Sequence, residues 1–204
     1  MIEFLFSQYK EYPNYLIALE LIAVVFGIIS VLFARKNNIL VYPTGLVSTI
    51  LYVYILFEFQ LYGDLIINFY YTIMSFLGWY LWSKTNDGED EFPISIINRK
   101  EILVSTLIFT ITLTFVALVY HFFDKFTDWT AYVDALTTGL FFVGMWLMAK
   151  RKIENWILWI IADAISIPLY FYKGLTFSSF QFILFTIIAI LGYKEWKRFL
   201  QKTI

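Results

Sequence analysis

The sequence has no cysteine, a single histidine and few charged side chains. Without cysteine, disulfides, thiolate metal sites and cysteine nucleophiles are excluded, and His121 alone leaves little for a zinc site or a proton relay. An enzyme active site is therefore hard to assemble. Lys and Arg (15) nearly balance Asp and Glu (16), so the chain lacks the overall basic surface that nucleic acid requires. We predict no enzymatic activity, no metal, no cofactor and no nucleic-acid partner.

Apolar residues are abundant: they make up 60% of the 204 residues and give a mean hydropathy of +0.71. This is the composition of an integral membrane protein. The apolar runs are continuous rather than alternating, which indicates helices, and a helix needs roughly 20 apolar residues to cross the bilayer. The N-terminus shows no pattern of a cleaved signal peptide. We predict an all-α integral membrane protein with seven spans, at about 14–34, 39–57, 64–82, 102–123, 129–149, 155–172 and 175–194.

The basic residues fall mostly on one side of this seven-span arrangement. Because cytoplasmic loops are enriched in Lys and Arg, the N-terminus is predicted outside and the C-terminus in the cytoplasm. The acidic segment 86–91 then becomes a solvated cytoplasmic hinge. Twelve basic residues lie on the cytoplasmic side and three on the other, namely Arg35, Lys36, Lys84, Arg99, Lys100, Lys150, Arg151, Lys152, Lys194, Lys197, Arg198 and Lys202 against Lys10, Lys125 and Lys173.

An internal repeat relates the first three spans to the last three. A gapless offset of 114 residues aligns 20–84 with 134–198. A single extra helix between two three-helix units makes them parallel, which is the 3+1+3 plan of SWEET-type transporters, whose substrate lies near the midplane. We predict a first repeat at 1–84, a loop and linker helix at 85–127, and a second repeat at 128–204. The matching pairs include Glu20 with Asp134, Lys36 with Lys150, Leu61 with Leu175, Gly78 with Gly192, and Trp82 with Trp196.

Four carboxylates lie within the predicted spans, and no Lys or Arg lies in a span interior. Ionisable groups in a span are costly and mark functional interiors, and an acidic, aromatic interior suits an organic cation. Glu20, Asp64 and Asp134 lie near span ends and fit solvated or capping roles equally well. Asp163 differs, because it lies about 16 Å along the helix from Lys152, near mid-membrane. A structural membrane subunit, the alternative from another class, would not need it.

The sixth span places its polar and aromatic residues on one helical face. Trp156, Trp159, Asp163 and Tyr170 share this face, with Ser166 at its edge. Two indoles and a carboxylate on one face predict a site for a flat cationic ligand. Trp156, next to the basic loop, fits an interfacial tryptophan equally well.

The third span has a comparable face that includes Asn68 and Tyr71. Asn68 suits a ligand hydroxyl or amide, and it suits a hydrogen bond between helices equally well. Gln181 is the nearest amide in the second repeat, one position out of register. We therefore include Asn68, Tyr71 and Gln181 among the candidate substrate-binding residues.

Two sets of motifs resemble those of the PnuC family of bacterial vitamin transporters, over nearly all of 14–198. One set is Glu154-Asn155-Trp156-Ile157-Leu158-Trp159, followed by Asp163, Pro168, Tyr170 and Lys173-Gly174-Leu175. The other is Gln60-Leu61-Tyr62-Gly63-Asp64 with Gly78-Trp79-Tyr80-Leu81-Trp82.

The resemblance implies a homotrimer in the bacterial inner membrane that carries nicotinamide riboside by facilitated diffusion, with a cytoplasmic kinase trapping the substrate. It also implies that Trp156 and Trp159 bind the substrate, and Asn155 of the same motif joins these candidates. Some family members have Asn at the position of Asp163, and related branches take thiamine or, in a few cases, riboflavin. Nicotinamide riboside and thiamine are both cations, whereas neutral riboflavin gains nothing from Asp163. The paired indoles and the two amides favour nicotinamide riboside, with thiamine as the alternative.

Overall fold

The computed structural model describes residues 13–58, 62–86, 89–122, 129–172 and 176–203. Lys10, Gln60, Leu61, Lys125, Lys173, Gly174 and Leu175 lie outside these ranges, as do the side chains of Tyr62, Gly63 and Asp64. Almost all of the described chain is helical. Its helices are α1 (Asn14–Arg35), α2 (Val41–Glu58), α3 (Tyr62–Trp82), α4 (Arg99–Phe122), α5 (Thr130–Ala149), α6 (Glu154–Tyr172) and α7 (Thr176–Thr203).

The predicted all-helical class is confirmed, and the described ranges contain one helix for each predicted span. Five of them, α1, α2, α4, α5 and α6, are long and apolar enough to cross a membrane. The helices α3 and α7 have 21 and 28 residues but include more polar positions, so the count of seven spans stays a prediction. The segment predicted as a hinge, 86–91, overlaps a small two-stranded sheet, in which β1 (Thr85–Asn86) pairs antiparallel with β2 (Glu89–Asp90).

The chain divides into two compact units, one ending at Asp90 and one beginning at Glu91. In the first unit, α1 packs on α2 and α2 on α3. In the second unit, α4 packs on α5, α5 on α6 and α6 on α7. The linker helix α4 therefore belongs to the compact second unit, while the three-part division predicted from sequence stays a prediction.

Each unit has an aromatic side chain that its neighbouring helix accommodates with a glycine. In the first unit, Tyr42 of α2 meets Trp82 edge to face at 5.1 Å, and a Cβ on Gly78 of α3 would overlap the tyrosine ring. Both aromatic side chains are buried. The corresponding positions of the second unit, 114 residues further on, hold Trp156, Gly192 and Trp196. Both units therefore contain an aromatic pair beside a glycine, at positions that the sequence repeat aligns.

The turns after α1 and α5 have the same backbone geometry. Asn37 and Arg151 both have φ of 51°, and they are 114 residues apart. In each turn the amide of the following residue donates to the carbonyl five residues back. After α1 the Asn38 amide donates to the Phe33 carbonyl at 3.0 Å, and after α5 the Lys152 amide donates to the Leu147 carbonyl at 2.9 Å. This left-handed helix ending favours glycine or asparagine. Asn37 is well suited to it, whereas Arg151 adopts a conformation that costs about 1–3 kcal/mol.

The segment of residues 92–98, here called the strap, is bound to the turn between α5 and α6. The Ser95 amide donates to the Arg151 carbonyl, and the Ile153 amide donates to the Ser95 carbonyl, both at 3.0 Å. The Ile97 amide donates to the Glu154 carboxylate, 3.1 Å from each oxygen. These bonds tie the approach to α4 to the first residue of α6.

Side chains reinforce this attachment. Arg151 is 3% exposed, and its guanidinium donates to the Phe92 carbonyl at 3.0 Å. Lys152 lies 3.1 Å from the Glu101 carboxylate. Asn98 and Glu101 exchange side-chain-to-amide hydrogen bonds of 3.0 Å, which is the capping box that starts a helix. The contact to Phe92 supports Arg151 in its unfavourable backbone conformation.

Candidate functional site

The candidate site begins at the first turn of α6, where Asn155 is fully buried. Its side-chain amide donates to the Lys152 carbonyl at 2.6 Å and so closes the turn that precedes the helix. Its other side-chain atom, Oδ1, has no hydrogen-bond partner among the described residues. A buried oxygen of this kind normally accepts a hydrogen bond from protein, water or ligand.

Trp156 is a core side chain with no exposed surface. Its ring meets Trp159 at 5.4 Å and Trp196 at 5.6 Å, in both cases edge to face. A Cβ on Gly192 of α7 would lie 2.7 Å from the indole. Full burial does not fit the interfacial alternative considered for this residue. Trp156 packs α6 against α7 and supports the edge of Trp159.

Trp159 is only half-buried, so part of its indole stays accessible. Its pyrrole edge rests on Gly144 of α5, where a Cβ would lie 2.5 Å from Cδ1 and closer still to Nε1. The indole is therefore held by the α5 backbone on one side and by Trp156 on the other. This leaves a flat aromatic surface in a fixed position, which suits stacking of a ring.

Asp163 and Ser166 lie one and two turns beyond Trp159, with exposed fractions of 3% and 1%. No hydrogen bond or ion pair within the described ranges engages the Asp163 carboxylate, and the Ser166 hydroxyl has no hydrogen-bond partner there. Hydroxyls in helices often bond the carbonyl four residues back, as Thr106 and Thr186 do here at 2.9 and 2.8 Å. Because an unsatisfied buried polar group costs about 1–3 kcal/mol, this part of α6 favours a polar or cationic occupant.

Aromatic rings from three helices of the second unit lie next to this face. Tyr170 of α6 is 4.9 Å from the ring of Phe182 on α7, and Phe182 stacks on Phe141 of α5 at 6.1 Å. Gln181, one of the predicted amides, is half-buried beside Phe182 on α7. The second unit therefore combines indole, carboxylate, hydroxyl, phenol and amide groups on adjoining helices.

Asn68 and Tyr71 belong to α3 of the first unit, where both are half-buried. The Asn68 carbonyl accepts the Thr72 hydroxyl at 2.9 Å, and Tyr71 lies 6.0 Å from the ring of Tyr70. Their predicted pairing with residues of the second repeat stays a prediction.

A separate apolar cavity of about 780 Å³ lies on the opposite face of α6. Val133 of α5 and Ile160, Ala164 and Pro168 of α6 contribute to its wall. Ala164 and Pro168 are turned away from Asp163 by about 100° and 140° around the helix, while Ile160 lies between the two faces, and the wall has almost no polar surface. The cavity therefore lacks the chemistry of the candidate site.

Three residues that contribute to the site were not recognised as such from the sequence, namely Gly144, Gly192 and Trp196. The repeat alignment did contain a signal for two of them, because it paired Gly192 with Gly78 and Trp196 with Trp82. It gave no such signal for Gly144, since the aligned residue is Ser30. The contact between Gly144 and Trp159 is visible only once α5 packs on α6.

The long apolar helices and the buried polar face on α6 define a multi-pass α-helical membrane protein with an acidic, aromatic site. A family model described as nicotinamide mononucleotide transporter matches residues 17–198, which is most of the chain. The protein therefore belongs to this family, that of the PnuC nicotinamide riboside transporters.

Similar proteins agree with this assignment. The chain is 25% identical to the nicotinamide riboside transporter PnuC of Escherichia coli strain K12, over 87% of this chain and 84% of that protein. It is 26% identical to the protein of the same name from Neisseria mucosa, over 89% and 72%. A crystal structure described as the vitamin B3 transporter PnuC superposes with a TM-score of 0.66 at 23% identity, over 90% and 82% of the two chains. The fold is therefore that of PnuC.

Proposed function

We propose that the protein takes up nicotinamide riboside across the membrane. The observation that carries the proposal is the half-buried Trp159 indole on the same face of α6 as the buried Asp163 carboxylate. A pyridinium ring is both flat and cationic, so it gains from stacking on an indole and from a nearby carboxylate. The relatives from Escherichia coli and Neisseria mucosa are named nicotinamide riboside transporters, which supports the same substrate.

The riboside fits better than the mononucleotide that gives the family model its description. A mononucleotide carries a phosphate, which calls for Lys, Arg or a metal ion. The interiors of the seven predicted spans contain no Lys or Arg, and Asp163 would repel the phosphate. The charge of the site therefore favours the riboside, which lacks the phosphate, over the mononucleotide.

The transport mechanism that we propose is facilitated diffusion with alternating access. Seven spans in a 3+1+3, SWEET-like arrangement would rock around a site that includes Trp159 and Asp163. Residues Asn68 and Tyr71 of the first repeat and Asn155 and Gln181 of the second would complete the site. A cytoplasmic kinase would trap the riboside by phosphorylating it.

The proposed assembly is a homotrimer in the inner membrane of a bacterium, with the N-terminus outside and the C-terminus in the cytoplasm. The distribution of Lys and Arg supports this orientation. Because the sequence lacks cysteine, a single cysteine introduced at Ser7 or at Thr203 is the only thiol available, and a thiol reagent that does not cross the membrane can be added to one side at a time. Labelling of the Ser7 variant only from inside would contradict the proposed orientation.

Thiamine is the second candidate, since its thiazolium is also a flat cation. A relative from Streptomyces davaonensis, named as a riboflavin/roseoflavin transporter, is 24% identical over 58% of this chain and 56% of its own length. Riboflavin is flat but neutral, so it would stack on Trp159 without gaining from Asp163. The charge of the site thus ranks the two cations above riboflavin.

Uptake into proteoliposomes tests this function. Labelled nicotinamide riboside should enter to equal concentration on both sides without ATP or an ion gradient, and excess thiamine or riboflavin should leave most of this uptake intact. Entry of thiamine without entry of the riboside would assign the protein to the thiamine branch. Accumulation driven by an ion gradient would contradict facilitated diffusion. Including a riboside kinase and ATP inside the vesicles should convert equilibration into accumulation.

A further inference from the structure

The position of Trp159 depends on the absence of a side chain at Gly144. Gly144 is buried on α5, and a Cβ built there would fall within 2.5 Å of the indole atom Cδ1 and closer still to Nε1. Real side chains do not approach so closely. On its other side the indole meets the ring of Trp156 at 5.4 Å, and Trp156 is itself fully buried. The indole therefore has little room to move away from an added methyl group.

The aligned positions of the first unit show a different solution to the same packing. Ser30 and Gly45 stand 114 residues before Gly144 and Trp159. In the first unit the glycine is on α2 and the serine on α1. A Cβ on Gly45 would lie 2.9 Å from the Ser30 hydroxyl oxygen, so these two residues are in contact. The first unit thus places serine against glycine, whereas the second places glycine against tryptophan. The unit that has the indole at 159 is therefore also the one that has no side chain at the facing position, 144.

We propose that Gly144 is a positioning residue for the Trp159 indole and thereby sets how well the second unit binds a flat ring. Gly144 itself contributes no group that contacts the substrate. It acts by letting the indole lie directly against the α5 backbone. This inference rests on the proposed function for its effect on transport, but the contact between the two residues can be tested without any substrate.

The first experiment is a double-mutant cycle on thermal stability in detergent. Gly144→Ser, which introduces the residue of the first unit, should lower the melting temperature by roughly 5 °C or more, the effect expected of overpacking. In a Trp159→Gly background, which also restores the first unit's residue, the same change should cost less than about 1 °C, because contacting residues are not additive. Equal losses in both backgrounds would overturn the proposal.

The second experiment measures transport of nicotinamide riboside by Gly144→Ala. A displacement of the indole by about 1 Å should raise KM roughly tenfold to a hundredfold, with a smaller change in maximal rate. The matched control is Gly139→Ala on the same helix, where a Cβ would lie 2.8 Å from the ring of Phe109. This control should lower the melting temperature but leave KM unchanged. An unchanged KM for Gly144→Ala would overturn the proposal.

A rescue variant covers the case in which Gly144→Ala does not fold. Phenylalanine at position 159 has a smaller ring, so Gly144→Ala combined with Trp159→Phe should fold and regain part of the transport. Failure of this pair to fold would overturn the proposal. If the wild-type protein does not transport the riboside, the proposed function fails, while the stability cycle still decides whether Gly144 positions Trp159.

Discussion

Helix α2 of the first unit and helix α6 of the second occupy matching positions in the repeat, and one face of each can be compared position by position. At three positions of this face, the first unit has an apolar or small residue where the second has a polar or aromatic one. Both helices pack in the same way at their neighbouring positions, where Tyr42 and Trp156 rest on a glycine beside a tryptophan. The differing pairs, each 114 residues apart, are Val41 with Asn155, Gly45 with Trp159, and Thr49 with Asp163.

This comparison separates residues that build the fold from residues that build the site. Features present in both units, such as the left-handed turns at Asn37 and Arg151, serve helix packing and chain reversal. The side chains on α6 that differ from the aligned residues of α2 are not required for this shared packing, because the first unit packs without them. Asn155, Trp159 and Asp163 are therefore the residues of α6 for which a functional role is the better explanation.

The largest expected effect distinguishes Trp159 from Trp156. Trp159→Ala should weaken binding of nicotinamide riboside by about 2 kcal/mol, roughly thirtyfold, since it removes a stacking surface. Trp156→Ala should instead lower the free energy of unfolding by about 3–5 kcal/mol, with a smaller effect on affinity. Titration calorimetry and thermal unfolding of both variants check this. Equal losses of affinity would remove the distinction between shared and unit-specific residues.

The next effect concerns the charge at Asp163. Asp163→Asn keeps the size of the side chain and removes the charge, so it should weaken binding of the cationic riboside about tenfold, or about 1.4 kcal/mol. Asp134→Asn, a half-buried carboxylate in the first turns of α5, is the matched control and should change affinity less than about twofold. Equilibrium binding to both variants measures the difference. Unchanged affinity for Asp163→Asn would refute its role as a counter-ion.

The smallest effect concerns Ser166. Ser166→Ala should reduce affinity roughly threefold, because the hydroxyl that it removes has no partner in the described part of the chain and is free for a ligand or water. Thr186→Val removes a hydroxyl that already bonds the Phe182 carbonyl at 2.8 Å, and it should leave affinity unchanged. Uptake rates at low substrate concentration compare the two. Equal effects would show that Ser166 has no special role.

The helices could be predicted from sequence because apolar runs determine them directly. The prediction for the sixth span, 155–172, differs by one residue from α6, Glu154–Tyr172. The last helix was predicted to end at 194 but continues to Thr203. Its final turns are rich in Lys and Arg, so a criterion based on bilayer thickness ends the helix where the polar residues begin, while the backbone hydrogen bonds continue.

Part of the candidate site could be predicted as well. The periodicity of α6 identified Trp159 and Asp163, since residues on one helical face share an environment. The support of Trp159 by Gly144 could not be predicted, because it depends on how α5 packs on α6. The strap could not be predicted either, although Asn98 and Glu101 show the spacing of a capping box. Its bonds join residues 56 to 59 positions apart, and no local pattern reports such a contact.

The strap also constrains how the protein is made. It binds the starts of α4 and α6 together, so both helices begin on the same side of the bilayer and run in the same direction. During synthesis, the residues around Ser95 leave the ribosome well before Arg151 and Glu154, which they bind. The amides of Ser95 and Ile97 in the strap therefore have no partner in the protein until α5 has been inserted and the following turn has been synthesised. Correct insertion of α5 is thus a condition for fixing the strap that precedes α4.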